Sequence, residues 1–207
     1  THINTVRPLP ENRWYDAGDE RFRPDNVMIS PRQLDTVYII DCDTGEIVWS
    51  YSGDYFGGLS GQHEPYMIAK GLPGAGNVLI FDNGASPWED LGHAGASYVL
   101  EVNPVTKEVV WVYDRWLDFH ATYTSSAQRL PNGNTLICES TSKRVFEVTP
   151  DCETVWEYVA PQGTPRAYRY LYDCCPQTEA LGVPQQVAVT PPAEFRMPPD
   201  APLDVGV

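Results

Sequence analysis

Ser60 to Gly84 reads SGQHEPYMIAKGLPGAGNVLIFDNG, and this stretch decides the fold. His63 opens an apolar segment, a Gly76-Asn77 turn follows, and a Val-Leu-Ile-Phe run ends in Asp82-Asn83-Gly84. The turn-and-strand half recurs at Asp25–Ser30 (DNVMIS) and Gly133–Ser140 (GNTLICES). Each copy is followed by a second alternating segment: Thr36–Asp41 (TVYIID), Ser97–Val102 (SYVLEV) and Arg144–Thr149 (RVFEVT). A polar turn then leads to a third: Ile47–Tyr51 (IVWSY), Val109–Tyr113 (VVWVY) and Thr154–Tyr158 (TVWEY). The segments that precede the turns begin at His2, His63 and His120. Alternation of period two marks strands, and four strands per unit repeating at roughly 50 residues is the pattern of a β-propeller blade.

The expected fold is therefore all-β: a β-propeller of four-stranded antiparallel blades, about three of them present, at about 1–53, 54–114 and 115–160. Trp49, Trp111 and Trp156 hold equivalent places, as do Tyr51, Tyr113 and Tyr158, and they are expected to pack between neighbouring blades. Propellers have about four to eight blades. An open part-ring exposes strand edges, so the remaining blades, in a ring of six, are expected from upstream sequence or a partner chain. Residues 161–207 hold nine of the 19 prolines and have weak periodicity, which predicts an extended Pro-rich C-terminal arm.

The formal charge of −14 argues against nonspecific binding of nucleic acid or anionic membrane, while leaving room for one locally positive pocket. No apolar run approaches the roughly 20 residues of a membrane span. The five cysteines (42, 138, 152, 174 and 175) contain no Cys-x-x-Cys pair, so no zinc site is expected, and no other metal or cofactor is assigned.

A single histidine at a strand head is commonly a hydrogen-bonded filler. Three at equivalent places are different, because the first strand of each propeller blade lines the central channel. His2, His63 and His120 are thus expected around one axial cavity, able to bind metal, shuttle protons or act as a nucleophile. Residue types and spacing do not choose among these.

His2–Asn4 (HIN), Ile29–Arg32 (ISPR), Thr44–Trp49 (TGEIVW), Gly61–Pro65 (GQHEP), Phe81–Gly84 (FDNG) and Ala127–Leu136 (AQRLPNGNTL) together resemble the arylsulfotransferases, nucleotide-independent propeller enzymes that move sulfuryl groups between phenols. The resemblance covers about residues 1–160. It implies small aryl sulfate and phenol substrates and a periplasmic or secreted location. It also implies that His63, beside Gln62, becomes transiently sulfated, with His2, Asn4 and Arg32 (the last in a Ser-x-Arg with Ser30) binding the sulfuryl oxygens. Glu64, His120 and Asp82 are further candidates for contacts to substrate. His93 lies in a loop insertion and is expected at the surface. Two other readings stand beside this one. Asp41–Trp49 (DCDTGEIVW) is similar to the blade turns of quinoprotein redox propellers, and a noncatalytic ring could use the histidines to hold a ligand or metal.

Overall fold

The computed structural model describes residues 2–84, 96–171 and 174–181. His93 and most of the Pro-rich stretch lie outside these. By contacts the chain divides into two units, residues 1–169 and 170–207. In the second, the described residues include a short helix, Pro176–Glu179.

Among the described residues the first unit holds twelve strands in three four-stranded sheets, each a meander in which consecutive strands pair antiparallel. The first sheet is β1 (Ile3–Pro8), β2 (Val27–Pro31), β3 (Val37–Ile40) and β4 (Ile47–Tyr51). The second is β5 (His63–Met67), β6 (Val78–Asp82), β7 (Tyr98–Val102) and β8 (Val109–Tyr113). The third is β9 (Ser126–Arg129), β10 (Thr135–Glu139), β11 (Arg144–Val148) and β12 (Thr154–Val159). None of the sheets closes on itself. β1 and β2 approach β5, and β5 and β6 approach β9, so the sheets meet at their first strands. That arrangement is consistent with propeller-like blades.

Period-two side chains give each sheet two faces, and the middle sheet buries both. Val78, Ile80, Tyr98 and Leu100 pack with Met28, Val37, Ile39 and Trp49 of the first sheet. Leu79, Phe81, Val99 and Tyr113 pack with Ile137, Phe146 and Val148 of the third. The equivalent tryptophans lock these junctions: the Trp49 indole donates to the carbonyl of Pro104 and the Trp111 indole to that of Pro150, both at 2.7 Å. Trp156 is 42 % exposed. One of its faces is covered by the Arg169 guanidinium, 5.0 Å from the ring centroid.

Arg169 repeats a contact made at the preceding junction. Arg129 pairs with Glu101 at 2.6 Å and lies over Trp111, and its backbone N–H donates to the Tyr66 hydroxyl at 2.7 Å. Arg169 likewise pairs with Glu147, lies over Trp156, and donates its backbone N–H to Oε1 of Gln128 at 2.7 Å. Glu101 and Glu147 stand opposite Trp111 and Trp156 in register. Residues 164–169, expected to belong to an extended arm, therefore lie where a further sheet would place its first strand.

The polar insertion after Pro10 is also anchored. Oδ1 of Asn12 caps a helical turn, α1 (Arg13–Asp16), by accepting from the backbone N–H groups of Trp14 and Tyr15. The Trp14 indole then donates to the Gly76 carbonyl at 2.7 Å, across the first junction.

Candidate active site

Two breaks in strand register build the site. In β5 the pairing with β6 slips between His63 and Tyr66, and Glu64 adopts a left-handed backbone with φ of 50°. Adjacent residues of a regular strand point to opposite faces; the bulge lets His63 and Glu64 line one cavity. In β1 the register shifts between Ile3 and Thr5, and His2, Ile3 and Asn4 join the same cavity, which has a volume of about 260 Å3. Thr124 and Ser125, with φ of 54° and 81°, complete its rim from the loop before β9. Left-handed backbone at a non-glycine residue costs about 1–3 kcal/mol and concentrates at functional sites. Three such residues surround this cavity.

His63 is 6 % exposed and held through both ring nitrogens. The backbone N–H of Thr124 lies 3.2 Å from Nε2 and can only donate, so Nε2 carries a lone pair. The ring proton is then on Nδ1, facing Oδ1 of Asn83 at 2.7 Å and the Gly61 carbonyl at 3.0 Å. Asn83 is itself oriented, because its Nδ2 donates to the carbonyls of Ala121 at 2.6 Å and Thr124 at 3.1 Å. Burial lowers the His63 pKa below its ordinary value. The bonds to Asn83 and Gly61 oppose that shift, and Arg32 and His2 add to it. The imidazole is therefore neutral near pH 7, with Nε2 against the Thr124 N–H, and both residues line the cavity.

Glu64, 4 % exposed, is clamped. Its Oε2 accepts from Arg7 Nη2 at 2.7 Å and from the Tyr168 hydroxyl, and its Oε1 pairs with Arg166 Nη1 at 2.9 Å. Burial, then the neighbouring carboxylate, pushes the Tyr168 phenol up to about 12, so it remains a donor. Asn4 Nδ2 donates to the Gln62 carbonyl at 2.7 Å, and Gln62 Nε2 donates to Ser30 Oγ at 3.2 Å, tying the first two sheets together beneath the site.

The other expected residues sit differently. Arg32 is not part of the cavity lining; its Nη2 donates to the Thr122 carbonyl at 3.3 Å, and its charge is felt at His63. His120 stands six residues before β9, since the left-handed backbone at Thr124 and Ser125 interrupts the strand there. Its backbone N–H donates to Glu139, and its buried Nδ1 has no hydrogen-bond partner among the described residues. Asp82 accepts from the backbone N–H groups of Ser60 at 2.8 Å and Gly84 at 3.4 Å, holding the loops around the bulge. Among the described residues no group of three or more His, Cys, Asp or Glu could hold a metal ion. No described helix is long and apolar enough to cross a membrane.

The family model described as Arylsulfotransferase (ASST) matches residues 1–161. The chain belongs to the arylsulfotransferase family. Comparison with curated proteins found no match. Among solved structures, a protein of unknown function from Bacteroides caccae is similar in fold, with a TM-score of 0.53 at 17 % identity. The similarity covers 83 % of this chain and 50 % of that one, so the chain spans about half the length of this relative.

Four contributors to this arylsulfotransferase-family site were not singled out from sequence: Asn83, the Thr124 N–H, Arg7 and Arg166. Asn83 lies in the Phe-Asp-Asn-Gly motif that carries the resemblance, so its type was visible there without its role. Arg7 is five residues beyond His2 on β1, where alternation alone does not distinguish it from a surface cation. The Thr124 amide and Arg166 come from irregular backbone and from beyond the repeats, and neither leaves a pattern.

Proposed function

We propose that the protein is a sulfotransferase that moves a sulfuryl group from an aryl sulfate to a phenol through a sulfohistidine at His63. The observation that carries this reading is the fixed tautomer: a buried, neutral imidazole that lines the cavity, with the lone pair on Nε2 and Nδ1–H held by Asn83. In the first step Nε2 attacks sulfur, an N–S bond forms, the S–O bond to the aryl group breaks and a phenolate leaves. Nδ1–H stays on Asn83 as the ring becomes cationic, so the charge develops beside an oriented acceptor. In the second step the acceptor oxygen attacks sulfur, the N–S bond breaks, the phenolic proton passes to water and neutral His63 returns.

Charge spread over the sulfuryl oxygens calls for preorganised donors, as in phosphoryl transfer. His2, the second amide hydrogen of Asn4 and the field of Arg32 take this role. Nε2 has one lone pair, so the Thr124 N–H gives it up as sulfur approaches and then lies beside the incoming sulfuryl group. Exported location and completion of the ring by further blades belong to the same proposal; family habit supports the first, and the half-length similarity to the Bacteroides caccae protein supports the second.

The test uses the protein as isolated, with any partner chain retained. It is exposed to excess 4-nitrophenyl sulfate, digested without acid and mapped by mass spectrometry. A sulfuryl adduct on the His63 peptide, discharged by added phenol, is the expected result. A complete ring that acquires no adduct on any histidine refutes the mechanism.

A further inference from the structure

Residues 164–169 lie outside the span matched by the family model, yet they reach the site. They are laid along β9 by specific bonds. The Ser125 N–H donates to the Pro165 carbonyl at 2.8 Å, the Ala167 N–H to Ser126 Oγ at 3.1 Å, and the Arg169 N–H to Gln128. The same backbone-to-hydroxyl contact joins the first two sheets, where the Glu64 N–H donates to Thr5 Oγ1 at 3.0 Å. With the segment fixed this way, Arg166 stands on the rim of the cavity that holds His63, its side chain 53 % exposed.

Arg166 is the arginine that lines this cavity among the described residues. Among the described residues its ion pair is the one contact from Nη1 to Oε1 of Glu64, whose other oxygen is already taken by Arg7 and Tyr168. A guanidinium carries five N–H donors in a planar fork suited to oxyanions. Two arginines around one buried carboxylate, with Arg32 nearby, leave a local positive surplus in a chain whose formal charge is −14. Such a surplus attracts anions to one place on a surface that otherwise repels them.

We propose that Arg166 is a substrate-binding residue: anchored on Glu64 through Nη1, it offers its remaining N–H groups to the oxygens of a sulfate ester, or of free sulfate, brought against Nε2 of His63. This rests on the sulfuryl-transfer reading of the site and adds to it a cation that the family-matched residues do not supply. Glu64 then acts as a positioning residue that aims the fork. The competing role for Arg166 is a staple that only pins the segment through Glu64.

Binding of inorganic sulfate separates the two roles without requiring turnover. The imidazole resonance of His63, assigned with His63→Gln, is followed by NMR while sodium sulfate replaces sodium chloride at constant ionic strength. Wild type, Arg166→Gln and Arg166→Lys are compared after thermal unfolding shows each folded; the Arg169 contacts and backbone bonds still hold the segment. Loss of one charge-assisted contact is expected to raise the half-saturating sulfate concentration about tenfold to a hundredfold in Arg166→Gln, with Arg166→Lys in between. An unchanged midpoint in Arg166→Gln overturns the proposal, and so does a wild-type His63 resonance that ignores sulfate. If 4-nitrophenyl sulfate never modifies His63 while sulfate binding still depends on Arg166, the transfer mechanism falls and the anion site stands. If His63 is sulfated while sulfate binding is independent of Arg166, the transfer mechanism stands and the role of Arg166 falls.

Discussion

Replacing Asn83 by Asp keeps the side-chain shape, removes the amide donor and adds a negative charge. Oδ1 of Asn83 is 2.7 Å from His63 Nδ1, while Nδ2 serves the carbonyls of Ala121 and Thr124. In Asn83→Asp a carboxylate faces Nδ1–H, and an adjacent opposite charge shifts a pKa by about 1–3 units toward the charged form. Wild-type His63 titrates below its ordinary value because burial dominates; the variant is expected to titrate higher than wild type. Protonation removes the Nε2 lone pair and replaces its bond from the Thr124 N–H by a repulsion. The other Asp oxygen confronts two carbonyls that have lost their donor, at about 1–3 kcal/mol each. The Ala121 carbonyl keeps a long contact from Ser97 Oγ at 3.5 Å, so the lower half of that range applies to it. The sum, about 2–5 kcal/mol, lowers Tm by roughly 4–20 °C for a domain of this size. The assay is an NMR titration of the His63 ring from pH 4 to 9, with single-turnover release of 4-nitrophenol at each pH. A His63 pKa in Asn83→Asp equal to or below wild type refutes the assigned tautomer and the reasoning built on it.

In wild type the depressed His63 pKa places the acid limb of single-turnover sulfation below about pH 6.5, so a limb centred above 7 contradicts the assigned environment. Trp111→Phe deletes the N–H to Pro150 along with the pyrrole half of the indole, and should cost at least about 1 kcal/mol, read from the urea midpoint; no change there denies the latch. Burial raises the Glu147 pKa, but hydrogen bonds from Asn134, Asn132 and Arg169 outweigh it and hold it below the ordinary range. Its contribution is therefore present above the unfolded pKa near about 4.3 and is lost as pH falls through the folded value. Arg169→Gln should accordingly be less stable than wild type at pH 7, with the gap narrowing below pH 4; a gap independent of pH contradicts the pairing. Glu64→Gln leaves Arg7 and Arg166 without their shared carboxylate. Both arginines are partly exposed, so the expected cost is about 1–3 kcal/mol in thermal unfolding, and a neutral result denies the clamp.

The strands were legible because period-two alternation between Gly, Asn and Pro turns is a local property, and β4 and β8 occupy the expected spans, Ile47–Tyr51 and Val109–Tyr113. His63 was legible as a strand head for the same reason. What alternation cannot encode is a place where it fails. The left-handed backbone at Glu64 turns two consecutive residues toward one cavity, and that at Thr124 and Ser125 ends the extended run, so that β9 begins well past His120. Both depend on contacts distant in sequence, the Glu64 N–H on Thr5 and the Ser125 N–H on Pro165.

Sequence by itself determined that the chain is built of antiparallel strands and that the strand opening at His63 carries the candidate nucleophile, because residue type and period are written in one dimension. Tertiary structure decided which nitrogen of His63 holds the lone pair, since Asn83 and Thr124 arrive from different loops. It also decided which arginine reaches the cavity. Arg32 lies between β2 and β3 and Arg166 beyond the last strand, and only the packing of residues 164–169 along β9 brings one of them to the rim.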